Sequence, residues 1–177
     1  MRLAVPQKSL PVRTEQIILF RASTEVFAIS SASVQEVRSV DSLAGVAVEI
    51  NEPSLAKVRH AVRRGERNLY LVNVALHFGL RPSPAALIFL LRRSRVALLV
   101  DGIEKMTSMT RLQALPGAFC HEERGWYRGL TVLDQSVIPV VSPSGFLTSG
   151  EILLLDALSG SQNLSEGTGT SGAAPSP

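Results

Sequence analysis

The side chains of this 177-residue chain whose types suit metal binding or nucleophilic catalysis are His60, His77 and His121, with Cys120, Glu122 and Glu123. Their spacing does not support either chemistry. Cys120 and His121 are adjacent, whereas a structural zinc site draws paired ligands from two short spaced motifs, and His60 and His77 fall in different segments. A Cys-His catalytic pair fails on the same ground, because neighbouring side chains in a strand point to opposite faces. No catalytic residue, metal ligand or cofactor-binding motif is therefore expected, and an enzyme of unrecognised type would require a pocket of close titratable groups that the sequence does not predict.

The second chemical feature is charge. Residues 57–95 hold nine Lys or Arg (Lys57, Arg59, Arg63, Arg64, Arg67, Arg81, Arg92, Arg93, Arg95) against one acid, Glu66, a net charge of +8. Over the whole chain the charge is only +3, which alone implies neither nucleic acid nor membrane binding. Such a segment could track a phosphate backbone, but aromatic residues are only 5% of the chain, so a stacking platform is not evident. A solvated or protein-binding surface is the expectation, and a nucleic-acid-binding small barrel is the alternative. Arg64 has two readings: a cation favoured near a helix C-terminus, or a guanidinium fork at the rim of a protein-binding groove.

These residues must be positioned by a mainly strand-built scaffold. EQIILFRAS and EVFAISSASVQEV read as two strands joined by a turn around Ser23, Thr24 and Glu25, the second with Val26, Ala28 and Ser30 alternating against Phe27 and Ile29. SLAKVRHAVRRG places Leu55, Val58, Ala61 and Val62 at three- and four-residue spacings and predicts a short helix ended by Gly65. LYLVNVALHFGL returns to strand character, and AALIFLLRRSRVALLV predicts a hairpin turning at Arg92–Ser94. VALLVDGIEKM and WYRGLTVLDQSVIPVV each read as strand, turn and strand; Asp101 suits a turn whose carboxylate accepts backbone N–H groups. Trp126 and Tyr127 are expected to point opposite ways. SGEILLLDAL is a terminal helix from about Ser149 or an added strand.

With 45% apolar residues the chain can bury a proper core. Residues 1–13 read as a flexible arm, 14–158 as the folded part, and 159–177 as a disordered tail of Ser, Gly, Ala and Pro. Two strand-rich halves, about 14–80 and 85–150, suggest twin small barrels or one mixed sandwich. MRLAVPQKSLP lacks the apolar run of a secretory signal, no segment reaches the length of a membrane span, and the single Cys120 fits a reducing compartment. The expected location is the cytoplasm.

Taken in order, FxxxxxxFAISSASVQEV, RRG followed by LVNVALHFGL, VALLVDGIEKM and YRGLTVLDQSVIPVV resemble the CheW-like domain of bacterial chemotaxis coupling proteins, over about residues 15–147. The resemblance implies a mainly β fold of two small SH3-like barrels packed together, with short helices and no catalytic site. It implies a non-enzymatic adaptor that joins the cytoplasmic tip of a chemoreceptor to the regulatory domain of a histidine kinase and is recruited to membrane receptor arrays. Val34, Glu36 and Val37 match the family's "V-x-E-V" strand end, Asp101 its Asp after "LLV", and Gly129 the Gly before its last hairpin. Arg64 and Gly65 match the Arg-Gly pair at which receptor binding is placed. The chain departs from the family where SLAKVRHAVRRG replaces a Pro/Gly-rich loop and Asn73 stands in the position of an Asp.

Overall fold

The computed structural model describes residues 14–165, with side chains described through Ser159. The arm expected at 1–13 lies outside the described residues. Among the described residues eleven strands form two sheets. The first comprises β1 (Glu15–Ala22), β2 (Glu25–Ser30), β9 (Gly102–Met109), β10 (Tyr127–Leu133) and β11 (Ser136–Val141), in the order β10-β11-β2-β1-β9. The second comprises β3 (Val34–Ser39), β4 (Ala47–Glu49), β5 (Val58–Arg64), β6 (Arg67–Asn73), β7 (Leu87–Leu91) and β8 (Val96–Val100), in the order β3-β7-β8-β6-β5-β4. Pairing is antiparallel except for β11 on β2 and β6 on β8.

The expected halves at 14–80 and 85–150 are not the two sheets. The chain leaves the first sheet after β2, builds all of the second, and returns at β9, which pairs with β1 from Glu15↔Met109 to Arg21↔Gly102. VDGI is thus the crossing between sheets and not a hairpin turn. The barrels themselves do not close by strand pairing among the described residues. In the second sheet the link from β3 to β4 forms a 3-10 turn, Val40–Leu43, whose Val40 and Leu43 pack over the sheet's own core without pairing the two edges. In the first, an isolated bridge between Gln113 and Leu130 joins the segment after β9 to β10.

Burial explains the arrangement. A core of 22 buried residues includes Phe20, Phe27 and Ile29 of the first sheet together with Tyr70, Phe89 and Leu98 of the second. The opposite face of β1 and β2 is also covered, since Ile17, Leu19 and Ala28 pack with Met109, Ile138 and Val140. Leu69, Leu71, Ile88, Leu90, Ala97 and Leu99 do the same for the second sheet. Central strands covered on both faces account for near-continuous apolar runs such as QIILF, LIFLL and VALLV. The single buried face expected for β2 is corrected accordingly: Phe27, Ala28, Ile29 and Ser30 are all buried.

The helix expected over SLAKVRHAVRRG is a 3-10 turn, Pro53–Leu55, followed by β5. The helical spacing has a strand explanation. Register slips between Val58, opposite Val72, and His60, opposite Leu71, so an extra residue sits in β5. Such a bulge reverses the alternation of faces and lets Val58 and Ala61, three apart, enter the same core. The strand expected through LVNVALHFGL also stops early, at Asn73. Its side-chain Oδ1 accepts a bond from the Leu76 N–H at 3.0 Å and starts the single-turn helix α1 (Val74–His77).

Helix α2 (His121–Trp126) precedes β10, and helix α3 (Ser149–Ser165) closes the fold. Thr148 and Glu151 cap α3 reciprocally: the Glu151 N–H donates to Thr148 Oγ1 at 3.2 Å and the Thr148 N–H to Glu151 Oε2 at 2.7 Å. Leu155 is fully buried, and Asp156 accepts from Tyr70 Oη at 2.6 Å and from Arg95 Nη1 at 2.7 Å. A Lys57–Glu151 ion pair of 2.7 Å adds a further tie. Because α3 continues through Ser165, it runs past the boundary expected at 158; residues 166–177 lie outside the described residues.

Candidate functional site: the exposed end of the second sheet

Four of the five residues singled out from the sequence, Glu36, Val37, Arg64 and Gly65, are exposed: Glu36 and Val37 on the edge strand β3, Arg64 and Gly65 at the β5–β6 turn of the same sheet. Among the described residues β3 is the outermost strand of its sheet, paired on one side only by β7. Such an edge presents unpaired backbone groups to a partner. Val34 points inward and is buried in the shared core, while Val37 is 38% exposed. Register slips between Val34 and Glu36, leaving Gln35 as the extra residue. Gln35 lines two adjoining clefts.

Glu36 is held by a two-pronged bond from Arg38, with Nε at 2.8 Å and Nη2 at 2.9 Å. Those bonds lower the Glu36 carboxyl below its ordinary range, and the nearby charge of Arg64 lowers it further. The structure thus brings Arg64, distant in sequence, into the electrostatic range of β3. Arg64 ends β5, and the turn to β6 has Gly65 at its first position with φ +63° and Glu66 at its second, as hairpin turns with a leading glycine require. Gly65 therefore has a backbone role whatever else it contacts.

Arg67, Arg93 and Arg95 join Arg64 around a cleft of about 540 Å3 that also includes Gln35, Asn68 and Ser94. The cause is topological. β6 and β8 run parallel, Tyr70 opposite Val96, so the turns that lead into them lie at the same end of the sheet. Beside it, a smaller apolar cleft of about 280 Å3 is lined by Leu43, Val46, Leu69 and Leu90 and rimmed by Arg38, Arg63 and Arg64. Arg67 and Arg93 were visible from sequence only as members of the basic segment, and Val46 not at all, since the parallel pairing and the strand neighbours place them here.

Asp101 does accept a backbone N–H, but from Ser23 in the β1–β2 turn, at 2.7 Å, and it also accepts from the Ser83 hydroxyl. It pins the crossing between sheets. Gly129 lies against the Gln113 bridge, where a Cβ would meet the Gln113 carbonyl oxygen at 2.3 Å. Trp126 and Tyr127 do not diverge: Trp126 packs on His77 and Phe78, and Tyr127 stacks on Phe78 with ring centroids 5.3 Å apart. The helix end between them turns the chain, which breaks strand alternation. His60, His77 and His121 lie on β5, α1 and α2, and among the described residues no group of three or more His, Cys, Asp or Glu is placed to hold a metal.

The sequence pattern of the CheW-like domain matches residues 16–151, most of the chain. The chain belongs to the CheW-like domain family. The fold agrees: the crystal structure of the scaffolding protein TtCheW from Thermoanaerobacter tengcongensis is similar with a TM-score of 0.64 at 14% identity, over 85% of this chain and 99% of that one. No curated protein matches the chain. No helix among the described residues is long and apolar enough to cross a membrane.

Proposed function

We propose that this CheW-like protein is a non-enzymatic adaptor of bacterial chemotaxis-type signalling, working in the cytoplasm at receptor arrays and coupling a chemoreceptor tip to the regulatory domain of a histidine kinase. The observation that carries the reading is the exposed β3 edge, with Glu36 and Val37 facing out, beside Arg64 and Gly65 on a family fold. In this reading each sheet is a small SH3-like barrel left open, and the open edge of the second serves as a docking surface. Val37 supplies apolar area at the edge, Arg64 a guanidinium fork at the rim, and Gly65 the turn that aims it. Val34 acts from the core by holding β3 in place. Coupling is geometric: holding two partners on one scaffold raises their effective concentration without any chemical step.

Calorimetric titration against the regulatory domain of a chemotaxis-type histidine kinase from the same genome, and then against the receptor tip, tests it. Val37→Asp is expected to abolish kinase binding while Arg64→Ala retains it and loses the receptor. A folded wild type that binds neither partner would sink the proposal.

A further inference from the structure

Three arginines at the end of the second sheet, Arg64, Arg67 and Arg93, line one cleft and form no ion pair among the described residues. Arg95, the fourth, is already neutralised by Asp156. Glu36, whose carboxyl feels the Arg64 charge, is engaged by Arg38, and Glu66, in the turn between Arg64 and Arg67, makes no ion pair among the described residues. Three guanidinium charges against the single unpaired Glu66 carboxylate leave a net positive cluster, a place where an anion is favoured. Guanidinium forks suit the oxygens of a phosphate, and Asn68, Ser94 and Gln35 add neutral hydrogen-bonding groups to the same walls. At about 540 Å3 the cleft falls within the size range of small-molecule sites.

The backbone adds an independent observation. Arg93 sits in the tight β7–β8 turn with φ +50°, in the left-handed region where glycine or asparagine is favoured and a long side chain is not. The turn is fixed from the other side by the Arg92 N–H, which donates to the Ser33 carbonyl at 2.9 Å. Local conformation therefore does not favour arginine at this position, where it lines the cleft. Among the described residues no aromatic side chain lines the cleft, which disfavours a stacked single strand as occupant.

We propose that Arg64, Arg67 and Arg93 form a binding site for a compact multivalent anion carrying linked phosphate groups. The site shares Arg64 with the partner surface proposed above but stands without it, because its evidence is the cluster itself.

Titration of the full chain with inorganic tripolyphosphate tests it. Saturable one-site binding is expected, weakened at least tenfold in Arg67→Ala and in Arg93→Asn, and unchanged in Arg111→Ala, whose arginine is exposed outside the cleft. Since asparagine tolerates the left-handed turn, Arg93→Asn should melt no lower than wild type, which separates loss of binding from loss of fold. A nucleoside diphosphate run beside tripolyphosphate distinguishes the sources: tighter binding of the nucleotide assigns the site to nucleotides, equal or weaker binding to bare phosphates, and both uphold it. No saturable binding by the folded wild type, equal weakening in Arg111→Ala, or a single-stranded oligonucleotide that binds without displacement by tripolyphosphate would overturn it.

Discussion

His77 on α1 is the group through which acid should act on this fold. Its ring is 7% exposed, neither nitrogen has a hydrogen-bond partner among the described residues, and Phe78, Trp126 and Phe146 lie against it at centroid distances of 4.8–4.9 Å. Burial lowers its pKa from 6.5 to about 4; the Lys57 ammonium lowers it too, partly opposed by Glu151. The unfolded chain therefore binds a proton on His77 at a higher pH than the folded chain does. The stability conferred by a neutral His77 is complete above pH 6.5 and is lost as pH falls toward 4. At about 1.4 kcal/mol per pH unit of displacement, the full loss is about 3 kcal/mol, of which about 2 kcal/mol is gone by pH 5. His77→Leu removes this titration and two unsatisfied nitrogens at the cost of ring contacts, so at pH 7.5 it should lie within about 1 kcal/mol of wild type. Urea unfolding followed by the fluorescence of Trp126, the chain's single tryptophan, at pH values from 7.5 to 4.5 measures both proteins with one probe. The wild-type stability should fall relative to the variant's by about 2 kcal/mol between pH 7.5 and pH 5. Parallel curves across that range would refute the reasoning, because carboxylates titrating elsewhere affect the two proteins alike.

Gly129→Ala should cost about 2–3 kcal/mol, since its Cβ would lie 2.3 Å from the Gln113 carbonyl oxygen, a backbone atom that moves only by breaking the Gln113–Leu130 bridge; thermal unfolding and amide exchange at Leu130 measure it. Asp156→Ala should lower stability by about 1–2 kcal/mol by releasing Tyr70 Oη and Arg95, a figure kept modest because the pair is partly exposed; a melt of the variant checks it, and an unchanged midpoint would show that α3 is held by Leu155 alone. Deleting residues 160–177 should move the melting midpoint by less than about 2 °C, because Leu155, Asp156 and Glu151 all remain.

Much of the strand content was legible because its signals are local. The Ser23-Thr24 turn, the hairpin around Arg92–Ser94, the Asp134-Gln135 turn and the helix from Ser149 all stand where residue types place them. The residues that misled are those where a local pattern has two physical causes. Leu55, Val58 and Ala61 at helical spacing are equally the signature of a strand with one inserted residue, and nothing in SLAKVRHAVRRG distinguishes them. Asn73 carried a usable signal, a capping side chain ahead of Val74, Ala75 and His77, which are buried together on α1.

The candidate site was half legible for a different reason. Glu36, Val37, Arg64 and Gly65 are visible as motif positions, but their meeting with Arg67 and Arg93 depends on which strands are neighbours. The parallel pairing of β6 with β8 decides that, and parallel partners leave no turn signal because the chain between them must cross over. The crossing here is the α1 to β7 segment, which carries residues 74–95 out and back and delivers Arg93 beside Arg64. The same geometry concentrates charge: each turn contributes arginines that would be harmlessly solvated apart, and the parallel register stacks their entrances at one end. Antiparallel pairing of β6 and β8 would have put Arg64 and Arg93 at opposite ends of the sheet, a strand of seven residues away at about 3.3 Å per residue, or roughly 20 Å. The cleft is therefore a consequence of topology acting on the basic segment, and any function of its arginines as a group belongs to the fold and not to a motif.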